Sequence, residues 1–253
     1  MATVISISNQ KGGVGKTTTT YALSAILQDK GFRVLAVDLD PQSNLTFSMA
    51  ADSEASPTIY DVFKGTAKVR QAIQSTEISD IIPSNILLSG VELEFTNLGR
   101  EYILSDALRP VLPLYDYILI DTPPALSILT INAFTTSDYI LMPMHADIFS
   151  LQGMAQLYDT IERVKLYCNP KLQYAGILLT RCNTRTKLAT EVRGTAELLS
   201  KDLGIPLFTV SIRNSVAISE SQSLQENPLD YVSKNPVMQD YIDFADEMLQ
   251  MGI

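Results

Sequence analysis

The sequence predicts a doubly wound α/β fold, a mostly parallel sheet with helices on both faces. Three observations point to it. Apolar strand-like runs alternate with helix-like segments along all 253 residues without a break in composition. Two of those runs, Val34–Asp40 and Tyr117–Asp121, end in acidic residues, where the strands of an open α/β sheet meet a ligand. A glycine-rich stretch, Gly12-Gly13-Val14-Gly15-Lys16-Thr17, lies between the first strand and the first helix. One domain over residues 1–253, with right-handed crossovers, is expected.

Val4–Ser8 reads as a buried strand, and Lys16–Lys30 as a helix stopped by Gly31. Val34–Asp40 is the next strand, followed by a short helix over Thr58–Lys64 and a short strand over Ile78–Ile82. Glu101–Leu112 reads as a helix, and Tyr117–Asp121 as an apolar strand terminated at Thr122-Pro123-Pro124, because proline cannot continue a ladder. Helices over Ser127–Thr136, Leu151–Tyr167 and Thr186–Leu203 then alternate with strands over Asp138–Met144, Gln173–Leu179 and Leu207–Ile212. Val237–Gln250 is a closing helix, and Ala50–Ser56 and Asn85–Gly99 are expected as surface loops.

Nearly half the residues are apolar and 19% are charged, which supplies a core and argues against disorder. Met1 leads directly into an apolar strand, and the longest apolar runs are too short to cross a bilayer, so a cytoplasmic protein is expected. Cys168 and Cys182 form no metal or disulfide pattern, as suits a reducing compartment. The net charge of −9 argues against a nucleic-acid coat, yet Arg181–Arg213 holds six basic and three acidic residues, a local +3.

The glycine-rich stretch carries the clearest chemistry. Glycines permit positive φ and turn successive backbone N–H groups into an anion nest, reinforced by the partial charge of the following helix N-terminus. Gly12, Gly13, Val14, Gly15, Lys16, Thr17 and Thr18 are therefore expected to cradle phosphates. Lys16 is expected to reach the β- and γ-phosphates, and the Thr17 hydroxyl is expected to ligate Mg²⁺. A standard loop of this kind has glycine where this chain has Gln10, and it does not need Lys11.

Lys11-Gly12-Gly13-Val14-Gly15-Lys16-Thr17 resembles the deviant Walker loop of the ParA/MinD superfamily of P-loop NTPases, of the SIMIBI type. Further segments match in order. Asp38-Leu39-Asp40-Pro41-Gln42 resembles the family's second motif, and Asp121-Thr122-Pro123-Pro124 its Walker B with switch II. Pro143-Met144-His145 with Leu151-Gln152-Gly153 resembles the segment after the fourth core strand. Ile212-Arg213-Asn214 with Ile218-Ser219-Glu220 resembles the C-terminal stretch of Soj-like partition ATPases.

The resemblance implies an ATP hydrolase with Mg²⁺ that forms an ATP-dependent homodimer and acts in chromosome or plasmid partition. It also implies a ParB-type centromere-binding partner and nucleoid association when ATP is bound. Lys11, by resemblance, reaches phosphate bound to the other subunit; a solvated lysine is the simpler alternative. Asp121 and Asp38 are expected in the Mg²⁺ hydration shell, and Asp40 is expected to position the attacking water, with helix or turn capping as the alternative for each. Asn183 and Arg213 are expected near adenine, and surface solvation would account for them equally well. His145 is a strand-end polar residue and not a catalyst.

For non-specific DNA the expected contacts are Arg185, Lys187 and Arg193, in the positive stretch. A second arginine that the resemblance calls for falls at Ala217, so Ala217→Arg is expected to strengthen DNA binding. Two other classes share the loop. A MinD-like membrane-cycling ATPase needs a basic terminal helix, whereas Asp240–Leu249 is amphipathic but acidic. A nitrogenase-type iron protein needs cysteines near the dimer axis, whereas Cys168 falls at a helix end and Cys182 just after a strand, neither of them in the segment directly after Asp121.

Overall fold

The computed structural model describes residues 1–145, 152–182 and 187–253, with the side chains of Gln152 and 187–190 left aside. In the first half, β1 (Thr3–Ile7) leads to α1 (Lys16–Asp29), β2 (Val34–Asp38), α2 (Asn44–Ser48), α3 (Ile59–Lys64) and α4 (Val69–Ala72). Then come β3 (Gln74–Ser75), β4 (Asp80–Ile82), α5 (Val91–Glu94), α6 (Ile103–Leu108) and β5 (Tyr117–Asp121). The second half runs α7 (Ile128–Thr136), β6 (Tyr139–His145), α8 (Gln152–Tyr167), β7 (Gln173–Cys182), α9 (Lys187–Leu203) and β8 (Leu207–Arg213). It closes with α10 (Ala217–Leu224), α11 (Pro228–Tyr231) and α12 (Pro236–Gln250).

Among the described residues these strands form one sheet, in the order β3-β4-β2-β5-β1-β6-β7-β8. Every pairing is parallel except β3 with β4 at one edge. The central strands β1, β2 and β5 are buried nearly throughout, which is why they read as continuous apolar runs. Alternate residues serve two cores. Val4, Leu35, Val37, Ile118, Ile120 and Met142 pack towards α3, α6, α7 and α8. Ile5, Ile7, Ala36, Leu119 and Leu178 pack towards α1, α10 and α12 on the opposite face. The doubly wound fold is the predicted one.

Departures from the predicted boundaries have local causes. β2 stops at Asp38 because the Asp38 carboxylate accepts from Asp40 N (3.0 Å) and turns the chain there. The helix predicted over Glu101–Leu112 breaks into a 3-10 turn, α6 and a second 3-10 turn (Leu112–Leu114). Pro110 has no N–H to continue α6, and it disfavours helical backbone at the residue before it. Asn85–Gly99 is more ordered than a loop, since a 3-10 turn (Ile86–Gly90) and α5 bury Leu88 and Val91.

The terminal helix α12 starts at a proline, with the Asn235 side chain accepting from Val237 N (3.1 Å). It buries Val237, Met238, Tyr241, Phe244, Ala245 and Met248 against α1 and β8. Its apolar face is thus spent on the core, as the acidic outer face suggested. Among the described residues no helix is long and apolar enough to cross a membrane.

Candidate nucleotide site

β1 sits between β5 and β6, and the chain leaves it over the C-terminal edge of the sheet, where strand order reverses. The loop that follows enters α1 through Gly15 at φ +93, with Gly13 at φ +72. Both conformations suit glycine and aim backbone N–H groups inward. The loop is held from three sides. Asn9 donates from Nδ2 to Pro143 O (2.8 Å) and accepts from Lys11 N (2.9 Å). Thr180 on β7 donates its hydroxyl to Val14 O (2.8 Å), and Thr122 donates its own to Ile7 O (2.9 Å). Sequence reasoning missed Asn9 and Thr180, since a polar residue at a strand end carries no motif of its own.

Lys16 is 7% exposed, and its ammonium donates to Lys11 O at 3.3 Å. Burial lowers its pKa, while Asp121 and Asp40 pull it back up. Asp121 and Asp38 are register partners at the ends of β5 and β2, both buried. Asp121 Oδ2 accepts from the Thr17 hydroxyl at 2.6 Å, whereas its buried Oδ1 meets no hydrogen-bond partner in the structure. Burial, and then Asp38, raises its pKa well above the ordinary carboxylate range. An orphaned buried oxygen beside a threonine hydroxyl fits a hydrated Mg²⁺, so the donor set expected of Thr17 and Asp121 is assembled here.

Asp38 stands differently. Its Oδ2 accepts from Thr46 N (2.9 Å) and Thr46 Oγ1 (2.7 Å), and its Oδ1 accepts from Asp40 N. The expectation that it joins the metal shell therefore meets a carboxylate already occupied in tying α2 to the sheet. Burial pushes its pKa up to about 6. Because the folded value lies above the unfolded one, this group favours the fold at low pH and loses that contribution as pH rises towards 6. The ligand-free protein should therefore lose roughly 3 kcal/mol at most between pH 4 and 6.5 from this group. Urea unfolding across that range checks it, and a stability that rises over the window would contradict it.

Asp40 lines the same cleft as Lys16 and Thr17, and its Oδ1 accepts from Gln42 N (3.0 Å). The cleft has a volume of about 730 Å³ and runs from the glycine loop to Arg213, Asn214 and α10. A positively polarised loop, a buried lysine, a threonine backed by the buried Asp121 and the Asp40 carboxylate at one cleft suit phosphoryl transfer to water.

A family model described as an AAA domain matches residues 2–174. Over its whole length the chain is 37% identical to the sporulation initiation inhibitor protein Soj of Bacillus subtilis, covering 100% of both. It is 38% identical to the chromosome partitioning protein ParA of Caulobacter vibrioides, over 97% of this chain and 93% of that one. The chain belongs to the ParA/Soj family.

One solved structure, cobyrinic acid a,c-diamide synthase from Mycobacterium smegmatis with bound ADP and magnesium, superposes with a TM-score of 0.85. It is 32% identical, with 99% of this chain and 95% of that one covered. The ATP complex of Cyanothece McdA, at 22% identity and a TM-score of 0.88 over 98% of this chain and 96% of that one, shares the fold.

The remaining expectations for a ParA/Soj site fare unevenly. Arg213 lines the cleft, but its guanidinium is spent in a two-pronged pair with Asp240, Nε and Nη2 each at 2.7 Å. It anchors α12 to the end of β8, and its head is not directed by this pairing to a base. Asn214, whose N–H donates to Cys182 O (3.2 Å), stays on the cleft wall. Asn183 and Arg185 lie outside the described residues, as does the side chain of Lys187. Arg193 is half-buried, against Glu197 (3.4 Å) and Phe208 O (3.5 Å), so its charge is engaged between α9 and β8.

Ala217 overturns one expectation. It is 9% exposed and packs in the core at the first turn of α10, so an arginine there would break packing before it met DNA. Val216 beside it is 70% exposed and is the position where an added cation would reach solvent.

Proposed function

We propose that this chain is a ParA/Soj-type partition ATPase, which hydrolyses ATP to ADP and phosphate and cycles on and off non-specific DNA as an ATP-dependent dimer. The observation that carries the reading is the Thr17–Asp121 pair with its orphaned carboxylate oxygen, at the mouth of a positive-φ loop. Full-length similarity to Soj and ParA supports a role for that chemistry in partition. Mg²⁺, when bound, neutralises charge on the β- and γ-phosphates; Thr17 and Asp121 are the residues that would hold it.

The chain's own groups divide the work. Backbone N–H groups of Gly12 to Thr18 bind phosphate oxygens, and Lys16 supplies charge to the γ-phosphate. Asp40 orients the attacking water and accepts its proton. Asp38 fixes the Asp40 segment through Thr46. Lys11, half-buried beside the exposed Gly12, is the residue assigned to reach the nucleotide of a second copy. A ParB-type protein with a basic segment is the partner that accelerates turnover, and the ATP-bound dimer locates to the nucleoid. The membrane-cycling alternative finds no support in α12, whose apolar face is buried.

DNA binding tests the reading. The dimer should bind unrelated duplex sequences equally, with ATP and not with ADP. Arg185→Ala should weaken binding on all of them and lower the salt-dependence slope by about 0.9 for each phosphate no longer neutralised. Identical salt titrations for the variant and the wild type would remove Arg185 from the interface. Absence of DNA binding by the ATP dimer at low salt would reject the partition reading.

A further inference from the structure

α10 lies along the cleft, and its half-buried Gln222 joins two elements that the reaction must keep in register. Gln222 Oε1 accepts from the Thr18 hydroxyl at 3.1 Å, and Nε2 donates to Ser48 Oγ at 3.1 Å. Thr18 is in the first turn of α1, and Ser48 is the last residue of α2. The chemistry of the partners fixes which way the amide faces. Ser48 Oγ already donates to Asn44 O (2.7 Å), so its single proton is used and it must accept from Gln222. The carbonyl end is left for Thr18.

The same helix is fastened at both sides. Tyr21 of α1 bonds through its hydroxyl to Ser221 Oγ (3.3 Å) and to Glu226 O, and Gln225 Nε2 donates to Phe47 O (2.9 Å) on α2. From below, Asp38 holds α2 through Thr46. The segment that carries Asp40 is therefore clamped between a buried carboxylate and the amides of α10. Within this clamp, Gln222 spans from α2 to the turn of α1 that binds phosphate.

We propose that Gln222 is a positioning residue for hydrolysis. It sets the spacing between the nucleotide-binding turn of α1 and the Asp40 segment, without touching the reacting atoms. This rests on the reading of the cleft as the site of ATP hydrolysis, with Asp40 acting on water. An error of about 1 Å in such a spacing is enough to cost turnover while leaving binding in place.

The test is a double-mutant cycle with ATP and Mg²⁺ on the full chain. Gln222→Met keeps side-chain length and removes both bonds, and Ser48→Ala removes only the α2 end. Each should lower kcat about ten-fold, the worth of one such hydrogen bond, with ATP affinity changed by less than about three-fold. The double variant should be no slower than the worse single, because both changes break the same link. Should Gln222→Met fail to fold, Ser48→Ala and Gln222→Asn report on the same bond. Unchanged kcat, affinity falling in step with kcat, or effects that multiply would each overturn the assignment. Asp40→Ala serves as the control. If it hydrolyses ATP normally, the underlying site reading fails. If it is inactive while Gln222→Met and Ser48→Ala turn over like wild type, only the positioning role fails.

Discussion

Asp40→Ala should hold ATP and all but stop hydrolysing it. A carboxylate that orients and deprotonates water is worth roughly 10²–10⁴-fold in turnover. Asp40 reaches the cleft from the turn after β2, and the one described hydrogen bond of its carboxylate is accepted from Gln42 N, so truncating the side chain leaves the glycine loop and Lys16 in place. Affinity for ATP should change little, and the ATP-bound dimer should accumulate and stay on DNA. Single-turnover hydrolysis alongside equilibrium nucleotide binding separates the two effects. A variant that loses ATP binding instead would place Asp40 in the Mg²⁺ shell and leave the water to another group.

Lys11→Ala should separate binding from assembly. Lys16 is buried behind the loop and faces the chain's own nucleotide, so Lys16→Ala should abolish tight binding outright. Lys11 precedes the exposed Gly12 and Gly13, and its backbone N–H, bonded to Asn9, holds the loop whatever side chain follows. Lys11→Ala should therefore bind ATP nearly as wild type and fail to dimerise. Its turnover should fall by at least ~10³-fold if the lysine stabilises transferring phosphoryl charge as a trans-acting cation does. Gly12→Val should give the same assembly defect by bulk. Among the described residues nothing lies within 4 Å of a Cβ added at Gly12, so the lone chain has room for that atom and the clash is expected with a second copy. Sedimentation with ATP and Mg²⁺ decides both, and a Lys11→Ala protein that dimerises and hydrolyses normally would sink the assignment.

Both predictions rest on residues that the sequence already singled out, and the reason is physical. A parallel strand buried on both faces must be an apolar run, so Tyr117–Asp121 and Val34–Asp38 announce themselves, and the carboxylates ending them are conspicuous. A loop that needs two positive-φ positions beside a lysine and a threonine has few alternative spellings.

What stayed hidden depends on packing between distant segments. α2 has five residues and α10 reads Ala-Ile-Ser-Glu-Ser-Gln-Ser-Leu, too short and polar to show a helical stripe. The pairing of Arg213 with Asp240 spans 27 residues, and nothing in either motif says that the arginine is already taken. Gln222 gives no sign in the chain that it touches both Thr18 and Ser48. Ala217 reads as a gap in a charged motif because burial is invisible to a residue-by-residue comparison.

The in-register carboxylates of β2 and β5 also bear on how long the protein lasts in a cell. Emptied of its ligands, the chain keeps two acidic side chains in a dry sheet edge with one buried lysine near them. Occupancy by nucleotide at about a hundred times its dissociation constant adds roughly 2.7 kcal/mol to the folded form. The emptied chain is then the species that opens most often and meets proteases first. Resistance to proteolysis would then follow occupancy of the cleft, whichever nucleotide fills it.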